Sequence, residues 1–185
     1  MQACTIISAM HDLSFRIATP EDAPQITDLV NNAYRGENSR QGWTTEADLL
    51  AGQRTDEQAV LEILSRPDNC IILCLQGDGI IGSVHLRHEQ NHCHLGMFTI
   101  RPDLQGQGMG RQFIAYVEGF ARDVWGCTTM EMTVIGLRHE LLAWYARRGY
   151  QPTGEYVDFP YGDERYGLPR RDDLQLLILR KSLAE

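Results

Sequence analysis

Apolar positions along this chain repeat with two periods, and the switches between them mark out its elements. Ser14-Phe15-Arg16-Ile17-Ala18 alternates polar and apolar, as a half-buried strand does. Thr19-Pro20-Glu21-Asp22 reads as a helix start: a capping Thr, Pro at the first helical position, then acids. That helix is expected to run to about Ala33, with Ile26, Leu29 and Val30 inward. Arg35 to Gly42 reads as a polar loop, and Thr45-Glu46-Ala47-Asp48 as the opening of a short helix. A further helix is predicted from Asp56 to Ser65, bounded by Pro67. Asn69 to Leu75 and Ile80 to His88 are predicted strands joined across Gly77-Asp78-Gly79, a hairpin signal. His92 to Ile100 is the next strand. The following helix, around Gln112 to Ala121, carries Phe113, Ile114, Val117, Phe120 and Ala121 at helical spacing. Met130 to Ile135 reads as a strand and Glu140 to Arg147 as a helix closed by Gly149. Tyr150 to Val157 and Leu174 to Leu179 read as the last two strands. The order predicts an α/β fold with a mixed sheet. Residues 1–12 read as a loose N-terminal extension and residues 13–185 as one domain, a size that buries a proper core.

Composition narrows the function. The chain is 43% apolar and 23% charged, ordinary for a globular protein. Its net charge is −8 and Lys is scarce, which argues against nucleic acid as a partner. An acidic surface favours cationic substrates such as amines. The five cysteines, Cys4, Cys70, Cys74, Cys93 and Cys127, are odd in number and form no C-x-x-C pair. They suit free thiols in a reducing cytosol. The start of the chain lacks the features of a signal peptide. No apolar stretch approaches the about 18 residues a membrane helix needs. A cytoplasmic location and no membrane partner are therefore expected.

The richest chemistry lies in Gln105-Gly106-Gln107-Gly108-Met109-Gly110-Arg111, between the strand ending at Ile100 and the helix that follows. Three glycines strip side chains from a strand–helix turn, so backbone N–H groups and the positive end of the helix can meet a phosphate. The dinucleotide fingerprint would need Gly where Arg111 stands, and no Gly-Lys-Ser/Thr triplet marks a nucleotide P-loop. A plain structural turn is the alternative use of such glycines. The segment resembles the Q/R-x-x-G-x-G/A signature of the GNAT superfamily of N-acetyltransferases, with Gln105, Gly108 and Gly110 on its fixed positions. Upstream, Gly96 to Pro102 resembles the family's fourth strand and the proline after it. Downstream, Trp144-Tyr145-Ala146-Arg147-Arg148-Gly149-Tyr150 resembles its Y-x-x-x-G-F/Y element. The likeness spans roughly residues 14 to 182.

That resemblance implies a mostly antiparallel mixed sheet flanked by helices and splayed at strands four and five. It implies direct transfer of an acetyl group from acetyl-coenzyme A, as co-substrate, to a primary amine of a small molecule or peptide. The pyrophosphate would sit on N–H groups of Gln107 to Arg111, with Gln105 adding a side-chain contact. The pantetheine arm would lie along Met97, Phe98, Thr99 and Ile100, facing Met130 to Ile135. A backbone N–H near Met97-Phe98 would receive the carbonyl oxygen. Tyr145 would donate to the departing thiolate. His94 and Glu131 are the candidate bases for the amine; as alternatives, they are polar strand residues on an exposed face. His85, His88, His92, Cys93 and His94 cluster in sequence, but no partner stands at a recognised metal-binding spacing, so no metal is expected. The aromatic and charged segment Asp158 to Asp173 and the loop Tyr34 to Thr45 with Trp43 would lie on the acceptor side. Phe159, Tyr161 and Tyr166 could instead build a homodimer contact. A coenzyme-binding sensor or structural module without transfer is the other functional reading.

Overall fold

A computed structural model describes residues 12–184. The expected extension, apart from Asp12, and Cys4 lie outside the described residues. In chain order the elements are β1 (Leu13–Ile17), α1 (Ala23–Tyr34), α2 (Gly36–Ser39), β2 (Leu50–Ala51), α3 (Glu57–Leu64), β3 (Asn69–Gln76), β4 (Gly79–Glu89), β5 (His92–Ile100), α4 (Met109–Asp123), β6 (Thr129–Ile135), α5 (His139–Ala146), β7 (Gln151–Asp158), β8 (Leu168–Pro169) and β9 (Gln175–Ser182). Seven strands make one sheet in the order β1-β3-β4-β5-β6-β9-β7, antiparallel except at β5–β6.

Burial on both faces explains the unbroken apolar run of β3. Its Ile71 and Leu73 face α1 and α3, packing with Ile26, Val30 and Val60. Its Cys70, Ile72 and Cys74 face α4 and α5, packing with Phe113, Ile114, Val117 and Tyr145. The four cysteines in the described part are buried free thiols. Burial pushes the Cys70 and Cys74 thiols up to about 12, so they pack as small apolar groups rather than nucleophiles.

Two local expectations are corrected. The polar loop expected over Arg35 to Gly42 holds the one-turn helix α2. The helix start expected at Thr19 forms, with Thr19 as N-cap and Pro20 next, and its first turn, Pro20–Asp22, is 3-10 before α1. There the Thr19 N–H donates to Asp22 Oδ2 at 2.8 Å. The helix expected to open at Thr45 does not form. Glu46 accepts the N–H groups of Leu49 and Leu50 in a single turn, and the chain then enters β2, which pairs with β8. The Glu46 carboxylate is instead held by distant guanidinium groups, at 3.1 Å by Arg35 and 2.7 Å by Arg138. Tertiary ion pairing here overrides the local helix signal. The β2–β8 pair fastens the loop after α1 to the late segment 158–173.

Strand β5 carries the feature that shapes the site. Gly96 pairs with His85 and Thr99 with Ser83, so Met97 and Phe98 together oppose Val84 alone. Met97 takes a positive φ of 48°. This bulge flips the side-chain phase: Cys93 and Leu95 face α4, whereas Met97 joins the α1 side. Parallel pairing with β6 covers only His92, Cys93 and His94. Beyond that point β6 stays with β9 and the two strands diverge into a V.

Candidate active site

The glycine turn delivers an open anion cradle. Gly106 and Gly108 take φ values of 80° and 89°, and Gly108 caps α4. A side chain is strained at such angles, and a Cβ added at either would meet no atom within 4 Å. The Gly108 carbonyl accepts the N–H groups of Arg111 and Gln112. The N–H groups of residues 107–110 make no backbone hydrogen bond among the described residues. Arg111 N–H, expected in the cradle, is thus engaged within the helix. Gln105 also differs from expectation. Its Nε2 donates to the Ile100 carbonyl at 3.0 Å, and its Oε1 packs against Gly42. The side chain pins the end of β5 to the loop instead of pointing into the turn.

The cradle opens into a cavity of about 620 Å³. One wall is the floor of the V, from Phe98 to Ile100; the other is α5. Arg111, Arg138, Arg147 and Arg148 lie in its lining against one carboxylate, that of Glu140. Such a rim complements the charge of a phosphate-bearing ligand. Arg148 lies 3.4 Å above the Trp144 ring, and its Nη1 donates to the Trp144 carbonyl at 2.6 Å. Trp43 faces Trp144 at 6.3 Å.

Tyr145 stands where this cavity meets a second one of about 150 Å³ inside the V, and it lines both. Its ring is wedged between Trp144 and Tyr150 at 5.0 and 5.6 Å. Burial pushes the phenol well above its ordinary value, so it stays a proton donor. The bulge carbonyls are occupied: Thr99 Oγ1 donates to Met97 and the Tyr34 hydroxyl donates to Phe98.

His94 and Glu131 are brought together as register partners at the apex of the V, Nδ1 to Oε1 at 3.6 Å. Glu89 reaches His94 Nε2 at 3.2 Å, and Arg180 reaches Glu131 at 2.7 Å. Neither lines a cavity. His94 does share a strand face with Gly96, which lines the second one. The remaining histidines disperse. His85 is hydrogen-bonded to Asn69 at 2.6 Å, and burial pushes it down to about 4. His88 bonds the Gln90 carbonyl and stacks on Trp125. No metal-holding group of His, Cys, Asp or Glu occurs among the described residues. Phe159, from the late segment, is buried in the wall of the second cavity, while the Tyr161 hydroxyl accepts the Leu174 N–H.

Strand–turn–helix, bulge and V coincide with one sequence family. The profile of the Acetyltransferase (GNAT) family matches residues 25–150. The chain belongs to the GNAT acetyltransferase family. It is an acetyl-transferring enzyme, and GNAT enzymes use acetyl-coenzyme A. Among curated proteins it is similar to the S-alkylcysteine N-acetyltransferase of Bacillus subtilis, 28% identical over 153 residues, or 77% of this chain and 80% of that one. Among solved structures, the ribosomal-protein-S18-alanine N-acetyltransferase of Escherichia coli superposes with a TM-score of 0.69 at 13% identity, covering 94% of this chain and 95% of that one. The PaiA N-acetyltransferase of Thermoplasma acidophilum, solved with coenzyme A, gives 0.68 at 15% identity, covering 92% and 99%. These GNAT structures share its fold. No helix among the described residues is long and apolar enough to cross a membrane.

The expected acceptor-side loop brings Tyr34 into both cavities, whereas Arg138, Trp144 and the Arg147–Arg148 pair are site residues that the sequence does not single out. The last three lie in or beside the Tyr145 motif, where two consecutive arginines before Gly149 were a visible sign of a basic rim. Arg138 has no such sign, because only folding joins it to Glu46.

Proposed function

We propose that residues 13–185 form an N-acetyltransferase domain that moves an acetyl group from acetyl-coenzyme A to a primary amine by direct attack. One observation carries this reading: the open N–H cradle at the start of α4 and the Tyr145 phenol line a single cavity beside the diverging strands. When bound, the coenzyme supplies a thioester activated for acyl transfer. The N–H groups of residues 107–110 and the guanidinium groups of Arg111, Arg147 and Arg148 hold its phosphates. The backbone of Met97 to Ile100 lies along its arm, and a bulge N–H receives the carbonyl oxygen. The amine nitrogen bonds to the carbonyl carbon as the carbon–sulfur bond breaks. Tyr145 stabilises the departing thiolate by a hydrogen bond; with its phenol raised by burial, it donates without ending as a phenolate. The amine's proton passes to His94 through water along the face it shares with Gly96, and Glu131 orients the imidazole.

The acceptors in the relatives' names, S-alkylcysteine and the alanine of ribosomal protein S18, are both amino-acid units that differ in side chain and in size. The test is thiol release from acetyl-coenzyme A over a panel of amines. Tyr145→Phe is expected to keep coenzyme affinity and to lower turnover by roughly 10²- to 10⁴-fold. Equal turnover in the variant would return Tyr145 to a packing role. A protein that binds acetyl-coenzyme A yet acetylates no amine would be a sensor instead.

A further inference from the structure

The second cavity has a polar wall that coenzyme binding does not use. Opposite the apolar side chains of Leu50, Met132, Phe159 and Leu176 stand Arg35, Glu46, Arg54 and Arg138. Arg35 and Glu46 neutralise one another, 3.1 Å apart with side chains only 5% and 8% exposed. Arg138 shares the other Glu46 oxygen at 2.7 Å, and its Nη2 donates to Thr44 at 2.8 Å. Its Nε is buried with no hydrogen-bond partner among the described residues. Arg54 has no carboxylate partner among them. Its guanidinium lies 5.5 Å from the Tyr34 ring centroid, and that of Arg138 lies 5.8 Å from the same centroid. The lining therefore holds more guanidinium than carboxylate in a small enclosure. The unbalanced cation, half-buried Arg54, favours an anion entering the enclosure.

The coenzyme's phosphates are provided for elsewhere, at the glycine turn on the other side of the bulge. The anion that suits this wall arrives with the acceptor. Arg138 and Tyr145 line both cavities, so a carboxylate held next to Arg138 places an α-amino group beside the reacting centre. We propose that the acceptor is a small α-amino acid: Arg54 grips its carboxylate with the charge of Arg138 beside it, and an apolar side chain lies against Leu50, Met132, Phe159 and Leu176. This rests on the acetyl-transfer reading and deepens it. The Arg54 guanidinium suits the task because its planar fork can meet both carboxylate oxygens, whereas the fork of Arg138 holds Glu46 and Thr44. The volume of about 150 Å³ limits the side chain to a modest size.

The test compares matched acceptors with the intact protein and acetyl-coenzyme A: L-leucine against isoamylamine, and L-methionine against methylthiopropylamine, with thiol release and product mass as readouts. Each amino acid should exceed its decarboxylated amine in kcat/KM by at least about 10²-fold, because the amine leaves the guanidinium wall unpaired. Arg54→Gln, which spares the Glu46 network, should lower kcat/KM for the amino acids roughly 10- to 100-fold, the loss of a charge-assisted contact, and should raise that of the amines, which no longer leave this cation unpaired. Arg54→Lys should keep the charge but lose the fork, and so reduce the preference less than Arg54→Gln does. Equal or better rates with the amines would overturn the carboxylate grip and leave acetyl transfer standing. An undiminished preference in both variants would overturn it as well. Turnover of none of the four compounds by protein that binds acetyl-coenzyme A would reject the proposed acceptor class. Absence of acetyl-coenzyme A binding, by contrast, would refute the acetyl-transfer reading.

Discussion

Gly108 is the position where one atom too many, or one charge too many, separates a phosphate cradle from a plain turn. Two substitutions divide the effects. Gly108→Ala adds a Cβ that meets nothing within 4 Å, so its cost is the left-handed backbone alone, about 1–2 kcal/mol. In a chain of this length each kcal/mol lowers Tm by about 2–4 °C. Gly108→Glu carries the same backbone strain and adds a carboxylate at the mouth of the cradle. If that charge lies about 6 Å from a phosphate charge, with an effective dielectric near 20, the repulsion is about 3 kcal/mol, or more than 100-fold in affinity. The two variants should therefore melt alike and bind differently. Thermal unfolding supplies the first comparison and calorimetry with acetyl-coenzyme A the second. Gly108→Ala should bind within a few-fold of the parent protein, whereas Gly108→Glu should show no measurable heat at ordinary concentrations. A folded Gly108→Glu protein with parental affinity would refute the pyrophosphate assignment and leave the glycines with a purely structural role.

Two further outcomes concern protons. His94→Ala should displace or flatten the acidic limb of the kcat/KM profile without weakening coenzyme binding; a limb in the variant identical to the parent's, measured with each of two acceptors of different pKa, would exclude His94 as the base. His85 bears on stability instead: burial holds its folded value at about 4, below the ordinary 6.5, so the folded state binds fewer protons than the unfolded one across that window. Stability should therefore fall as pH drops from 6.5 toward about 4, and His85→Gln, which keeps an amide partner for Asn69, should remove part of that fall in a Tm-against-pH series. A series parallel to the parent's would show that His85 is not the group responsible.

The elements that the sequence alone determined are those whose signals are local. β5, the glycine turn and α4 follow one another within about thirty residues, and each reports itself by spacing, by glycines that must take positive φ, or by a buried helical stripe. The Gln105, Gly108 and Tyr145 motifs were legible for the same reason. Where a side chain would point was not. Gln105 belongs to the turn by sequence, yet its amide turns to Ile100 because Gly42, from a distant loop, leaves room for it. Tertiary structure also decided the bulge at Met97-Phe98, since an extra residue on one strand exists only relative to its partner. It decided the divergence of β5 from β6, which depends on β6 keeping its pairing with β9 while β5 keeps β4. It decided the basic wall as well. Arg35, Glu46 and Arg138 are separated by up to about a hundred residues, and the helix signal at Thr45 gave way to their ion pairs. Periodicity and turn chemistry act over a few residues, and so they can be read along the chain. Register, strand splay and the pairing of buried charges are settled between segments that meet only when the whole core closes.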